Sequence, residues 1–136
     1  MSQPSGGSTR TGSKGLIYVV DDRPDLVEVA KTSLEMAGYS VHGFVNPVSA
    51  LAALRDRHTP IPALLVTDFD MPEMNGLELI RACRCLHPEL KILVLSGTVK
   101  ESEIMSDSVK VDRFLAKPYQ ISELTGIVDE LIRSTK

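Results

Sequence analysis

From Leu16 onward the sequence alternates five times between a short β-rich apolar run and a stretch whose apolar residues recur at helical spacing. Leu16-Ile17-Tyr18-Val19-Val20 is apolar without interruption, the pattern of a strand buried on both faces. Asp21-Asp22 ends it, Pro24 suits a first helical turn, and Leu26, Val27, Ala30, Leu34 and Ala37 follow at helical spacing up to Gly38, a C-terminal cap. Tyr39 to Phe44 reads as a second strand. Asn46-Pro47 caps a helix through Val48, Leu51, Ala52 and Leu54. Pro62 to Thr67 is a third strand, ending at Asp68, and Gly76 to Leu86 a helix with Leu77, Leu79 and Ile80 inward, stopped by Pro88. Leu90 to Leu95 is a strand ending at Ser96-Gly97; Val99 to Val109 is a weaker, serine-interrupted helix. Arg113 to Ala116 is a short strand running into Lys117-Pro118, and Ile121 to Ile132 an amphipathic helix. Strand–helix repeats of this kind predict an α/β fold: a parallel sheet with helices on both faces.

The chain of 136 residues has room for one domain of common size, about 100–150 residues. Residues 1–15, rich in Ser, Gly and Thr, cannot bury enough surface to offset their ordering entropy and are expected to be a flexible tail; residues 16–136 are the domain. Apolar runs such as Ile61 to Val66 fall far short of the roughly 18 residues that span a bilayer. No segment has the make-up of a signal peptide, and Cys83 and Cys85 are too close for an ordinary disulfide framework, so a cytoplasmic protein is expected. The net charge is −3; beyond the tail, 13 basic residues face 18 acidic ones, which argues against nucleic acid as a direct partner, and no membrane partner is expected.

In open parallel sheets ligands bind beyond the C-terminal ends of the strands. Those ends carry Asp21 and Asp22, then Asp68 and Asp70, then Ser96, then Lys117. With the first and third strands adjacent, up to four carboxylates crowd one pocket, and two of them about 5 Å apart repel by about 3 kcal/mol at an effective dielectric near 20. A hard divalent cation held by oxygen ligands, magnesium above all, is the natural compensation. Lys117 adds a positive charge suited to a phosphoryl oxygen, and Ser96 a hydroxyl donor. Metal, lysine and carboxylate together suit the formation of an aspartyl phosphate, with Asp68 the candidate nucleophile.

At these residues the chain resembles the receiver domain of bacterial two-component response regulators. Asp21-Asp22 matches that family's acidic pair, and Asp68-Phe69-Asp70-Met71-Pro72-Glu73-Met74-Asn75-Gly76 resembles its phosphoacceptor motif, Asp-x-x-Met-Pro-x-Met-Asn/Asp-Gly. Ser96, Phe114 and Lys117-Pro118 fall at its hydroxyl, switch-aromatic and Lys-Pro positions. The resemblance implies a flavodoxin-like, five-stranded sheet of order 2-1-3-4-5. It implies that Asp68 is phosphorylated by a sensor histidine kinase, a phosphotransfer protein or a small donor. Asp22 and Asp68 would ligate Mg2+, with Asp70 contributing its backbone carbonyl and Asp21 holding metal-bound water. Lys117, preceding a cis proline bond, would pair with the phosphoryl group; Ser96 and Phe114 would shift together and remodel the face formed by the fourth helix, fifth strand and fifth helix. That face would act on a partner or output domain, with phosphorylation-linked dimerisation a further expectation. The chain would catalyse only its own phosphorylation and dephosphorylation.

The Asp70 side chain departs from what the motif requires, and Val109 to Arg113 replaces the family's usual Gly-Ala turn, so a loose or unusual output face is expected. The rival reading is a magnesium-dependent phosphatase of the haloacid-dehalogenase type, using Asp68 and Asp70 as its Asp-x-Asp. Against it, that family's second acidic pair comes late in the chain, whereas Asp21-Asp22 comes first. A third reading, a pseudo-receiver that only binds partners, is opposed by the intact acid set. His42, His58 and His87 are scattered surface or loop residues, Arg81 and Arg84 are read as solvated, and Cys83 and Cys85 point to different helix faces.

Overall fold

The computed structural model describes residues 13–71, 76–97 and 111–133. Its strands are β1 (Leu16–Val20), β2 (Ser40–Phe44), β3 (Leu64–Asp68), β4 (Lys91–Ser96) and β5 (Arg113–Ala116). All pair in parallel in the order β2-β1-β3-β4-β5, as expected. The described helices are α1 (Pro24–Met36), α2 (Pro47–Arg55), α3 (Gly76–Leu86) and α4 (Ile121–Arg133). The helix expected over 99–109, residues 1–12 and residues 72–75 of the acidic motif lie outside the described residues.

Two cores follow from the period of two along each strand. Ile17 and Val19, Leu64 and Val66, and Leu93 and Leu95 turn toward Ala30 and Leu34 of α1 and Leu124 and Val128 of α4. Tyr18 and Val20, Leu65, and Ile92 and Val94 turn the other way, onto Leu51 and Leu54 of α2 and Leu79, Ile80 and Cys83 of α3. Each fully buried Leu or Ile contributes about 1.5–3 kcal/mol, so the sheet is held from both sides.

Local chemistry sets the ends. Gly38 adopts φ +107°, a left-handed conformation that suits glycine, and its N–H and that of Tyr39 donate to Glu35 and Leu34 carbonyls at 3.0 and 3.1 Å, closing α1. Asn46 Oδ1 accepts from the Val48 amide at 2.7 Å and starts α2. In α2 the inward stripe is Pro47, Ala50, Leu51 and Leu54, so Val48 and Ala52, expected inside, are exposed. With Pro47 itself buried, the apolar face is rotated from the one that the leucines and Val48 suggest.

Strand ends and the surroundings of Arg84 differ from expectation. β3 begins two residues later than Pro62, and β4 runs on to Ser96, because Asp68 pairs with Leu95 and Ser96 with Ala116. Arg84 is not a solvated cation: it donates to Asp112 Oδ2 at 3.0 Å, to the Pro88 carbonyl at 3.2 Å and to the Leu90 carbonyl. Asp112 also accepts the Ile92 amide at 2.8 Å, which ties it to β4. Within the segment read as a tail, Lys14 N–H donates to the Gly38 carbonyl at 2.8 Å and its ammonium lies 5.4 Å from the centroid of the Tyr39 ring.

Candidate functional site

Hydrogen bonds beyond the strand ends bring the polar residues together. Asp21 N–H donates to the Phe44 carbonyl at 3.1 Å, Phe69 N–H to Leu95 at 2.8 Å and Lys117 N–H to Ser96 at 2.9 Å, continuing the ladders of β1, β3 and β5 at one edge of the sheet. The loops that carry the acids and the lysine thus leave the sheet in fixed directions.

Asp68, the last residue of β3, is buried, as is Asp21, while Asp22 is exposed. One carboxylate oxygen from each of the three lies within 4.8 Å of the others. The ammonium of Lys117 is 2.9 Å from Asp68 Oδ1 and 3.5 Å from Asp21 Oδ2, and the Lys117-Pro118 bond is cis. Asp21 Oδ1 accepts the Arg23 amide at 3.0 Å, which orients that carboxylate at the start of α1.

Burial dominates the electrostatics. It pushes the Asp68 carboxyl above the ordinary carboxylate range, against the hydrogen bond and charge of Lys117, and the neighbouring Asp70 charge adds to the rise. Burial likewise raises Asp21, opposed by the Arg23 amide and by Lys117. Burial alone would lower Lys117, but its hydrogen bond to Asp68 and the charges of Asp21 and Asp68 outweigh that, and the amine ends above its ordinary value. Three carboxylates face one ammonium, so negative charge is in excess.

Ser96, almost wholly buried, does not face Asp68 alone: its hydroxyl donates to Asp70 Oδ2 at 3.0 Å. The Asp70 carboxylate, exposed on the pocket rim, stands apart from the three-acid cluster, and the Asp70 amide donates to the Asp68 carboxylate. Phe114 is half-buried against the core shared with α2 and α3.

The comparisons with known proteins bear on this arrangement. Residues 17–129 match the response regulator receiver domain family. This chain belongs to that family. It is 32% identical over 117 residues to "Response regulator receiver protein CpdR" of Brucella abortus, covering 85% of this chain and 95% of that protein. It is 37% identical over 122 residues to "Response regulator MprA" of Mycobacterium leprae, covering 88% of this chain but 52% of that protein. The chain thus spans nearly the whole of one relative and about half of the other. The Francisella response regulator 1452 receiver domain superposes with a TM-score of 0.79 at 25% identity, over 90% of this chain and 99% of that one.

A receiver domain is a phosphorylation-dependent signalling switch, and receiver domains of response regulators work with histidine kinases and output domains. The haloacid-dehalogenase alternative finds no support: family match and strand order are those of a receiver. The Asp70 carboxylate, its second acid, bonds Ser96 instead of joining the three-acid cluster. Among the described residues no helix is long and apolar enough to cross a membrane.

Two features of this receiver domain escaped the sequence. The Ser96–Asp70 bond joins residues 26 apart, and nothing in their spacing announces it. Beside the acids, a groove of about 390 Å³ is lined by Leu26, Val29, Lys117, Pro118, Tyr119 and Ile121. Of these the sequence singles out only the Lys117-Pro118 pair; the other apolar loop and helix residues carry no chemical signature that separates a groove from a core.

Proposed function

We propose that Asp68 is the phosphoacceptor of this receiver domain, charged by the phosphohistidine of a sensor histidine kinase or phosphotransfer protein, or by acetyl phosphate. The observation that carries this reading is the buried Asp68 carboxylate, bonded to Lys117 at 2.9 Å, with Asp21 and Asp22 oxygens within 4.8 Å. The excess negative charge and the all-oxygen donor set fit magnesium rather than a thiophilic metal. Asp22 and Asp68 would hold it directly, Asp70 through its backbone carbonyl and Asp21 through water. When bound, the ion draws charge from the transferring phosphoryl oxygens.

The chain's own groups do the rest. An Asp68 oxygen attacks phosphorus in line as the bond to the donor breaks; with acetyl phosphate, acetate leaves with the bonding electron pair and no proton moves. Acetyl phosphate and the aspartyl phosphate are both acyl phosphates, so that exchange is close to isoenergetic; from a phosphohistidine the bond broken is P–N, and the imidazole leaves with the electron pair. Lys117 turns its ammonium from the Asp68 carboxylate to a phosphoryl oxygen, and Ser96 donates its hydroxyl to another. Phe114 then turns inward behind Ser96, and the face around β5 changes shape. Phosphorylation biases a two-state equilibrium that a partner, an output domain or a second copy of the chain reads. A kinase donor charged from ATP implies a cytoplasmic setting, and the only chemistry is gain and loss of the chain's own phosphoryl group.

Intact-mass measurement after incubation with acetyl phosphate and magnesium tests this. One phosphate adduct is expected on the wild type and none on Asp68→Asn. An adduct of equal yield on the variant, or none on the wild type, overturns the assignment.

A further inference from the structure

The hydroxyl of Ser96 has one proton, and the structure commits it to Asp70 Oδ2 at 3.0 Å. Ser96 is almost wholly buried at the end of β4, next to Asp68 at the end of β3, whereas Asp70 stands exposed on the rim two residues on. The bond therefore runs outward, from a buried strand position to an exposed side chain at the pocket mouth. A phosphoryl group on Asp68 needs the same proton. It also sets new negative charge beside a carboxylate that already acts on Asp68 through space.

Resting on the reading of Asp68 as phosphoacceptor, we infer that Asp70 is a positioning residue that holds Ser96 in the unphosphorylated arrangement, and that a phosphoryl group must take the Ser96 hydroxyl from it. One hydrogen bond is exchanged for another: Ser96 Oγ–H to Asp70 breaks, and Ser96 Oγ–H to a phosphoryl oxygen forms. The proton stays on Ser96 throughout. A charge-assisted bond of this kind sets the threshold of the switch. Loss of the Asp70 acceptor removes this restraint on the Ser96 hydroxyl, so the phosphorylated arrangement is reached at lower cost. The geometry also separates two effects that Asp70 could have, its repulsion of negative charge on Asp68 and its hold on Ser96, because only the second passes through the hydroxyl.

The test uses beryllofluoride with magnesium as a phosphoryl mimic, its affinity read by titration of backbone amide resonances. Asp70→Ala is expected to bind it about three- to tenfold more tightly than the wild type, with Asp70→Asn, which keeps a neutral acceptor, in between. In a Ser96→Ala background the Asp70→Ala gain is expected to vanish. A gain below threefold overturns the inference. So does a gain that persists unchanged without the Ser96 hydroxyl, since bare repulsion then explains it. A second reading needs neither metal nor mimic: couplings across the Ser96 χ1 bond should report one rotamer in the wild type and averaging in Asp70→Ala. Identical couplings in the two chains overturn the hold on Ser96. Failure of every chain, wild type included, to bind beryllofluoride sinks the phosphoacceptor reading instead, and the couplings then judge the hold alone.

Discussion

The Lys117 ammonium is 2.9 Å from Asp68 Oδ1, a contact that joins residues 49 apart in sequence at one edge of the sheet, across the intervening β4. It is also 3.5 Å from Asp21, so a single cation bridges two buried carboxylates. Removing one partner of a largely buried pair leaves the other uncompensated. Lys117→Ala should therefore lose about 1–3 kcal/mol of stability in chelator at neutral pH, discounted for the partial exposure of the lysine. Magnesium should restore most of it, and bind severalfold more tightly than to the wild type, because a competing cation is gone. Urea unfolding with and without magnesium, together with calorimetric titration, measures both.

Asp68 gives the opposite sign. Its folded carboxyl titrates above the ordinary range because it is buried, so the folded state holds its proton to higher pH than the unfolded state. Its ionisation therefore costs stability as pH rises through that raised value, and the cost is absent below the unfolded value. Asp68→Asn should match or exceed the wild type in urea midpoint at pH 7 in chelator, with the advantage shrinking toward pH 4. Excess magnesium should favour the wild type instead.

Gly43 of β2 is required by contact rather than by backbone conformation. A Cβ there would lie 2.5 Å from Val27 Cγ1 of α1, closer than real Cβ atoms approach their neighbours. Gly43→Ala should cost about 1–3 kcal/mol, the usual range for overpacking. Val27→Ala should recover part of that loss in the double variant. Additive losses in a double-mutant cycle would rule the contact out as the cause.

Tyr18 is fully buried in β1, and its hydroxyl has no hydrogen-bond partner among the described residues. Its ring packs on Phe44 with centroids 4.9 Å apart, which a phenylalanine would preserve. Tyr18→Phe should therefore raise stability by about 1 kcal/mol, the gain from removing an unsatisfied buried donor. A clear loss on thermal unfolding would refute it.

Cys83 and Cys85 should separate chemically. Burial pushes the Cys83 thiol up to about 12, while Cys85 is exposed. In the native chain a thiol reagent at pH 8 should modify one cysteine, Cys85, and reach Cys83 only on unfolding. Because the folded state keeps the Cys83 proton after the unfolded chain releases it, stability should fall as pH rises from about 9 toward 12. Cys83→Ala should flatten that fall.

Much of this was readable in one dimension. Buried parallel strands need continuous apolar runs, so Leu16 to Val20 and Ile92 to Leu95 declare themselves, and the polar residues that stop those runs mark the sheet edge where a site can form. The identities at those stops (Asp21, Asp22, Asp68, Lys117) carry enough chemistry to suggest a cation and a phosphoryl group. Side-chain partners did not declare themselves: Arg84 looks like any helix-surface arginine, yet it reaches Asp112, 28 residues away.

The sequence by itself determined the alternation of strands and helices, the acids at the strand ends and the membership of the receiver family, because periodicity and residue type are local properties. Only the tertiary structure decided that Lys117 bridges Asp21 and Asp68, that Asp70 takes the Ser96 hydroxyl and that Gly43 leaves room for Val27. Each of those depends on where distant segments come within a few ångströms, which is fixed by strand order and packing and is written in no short stretch of the chain.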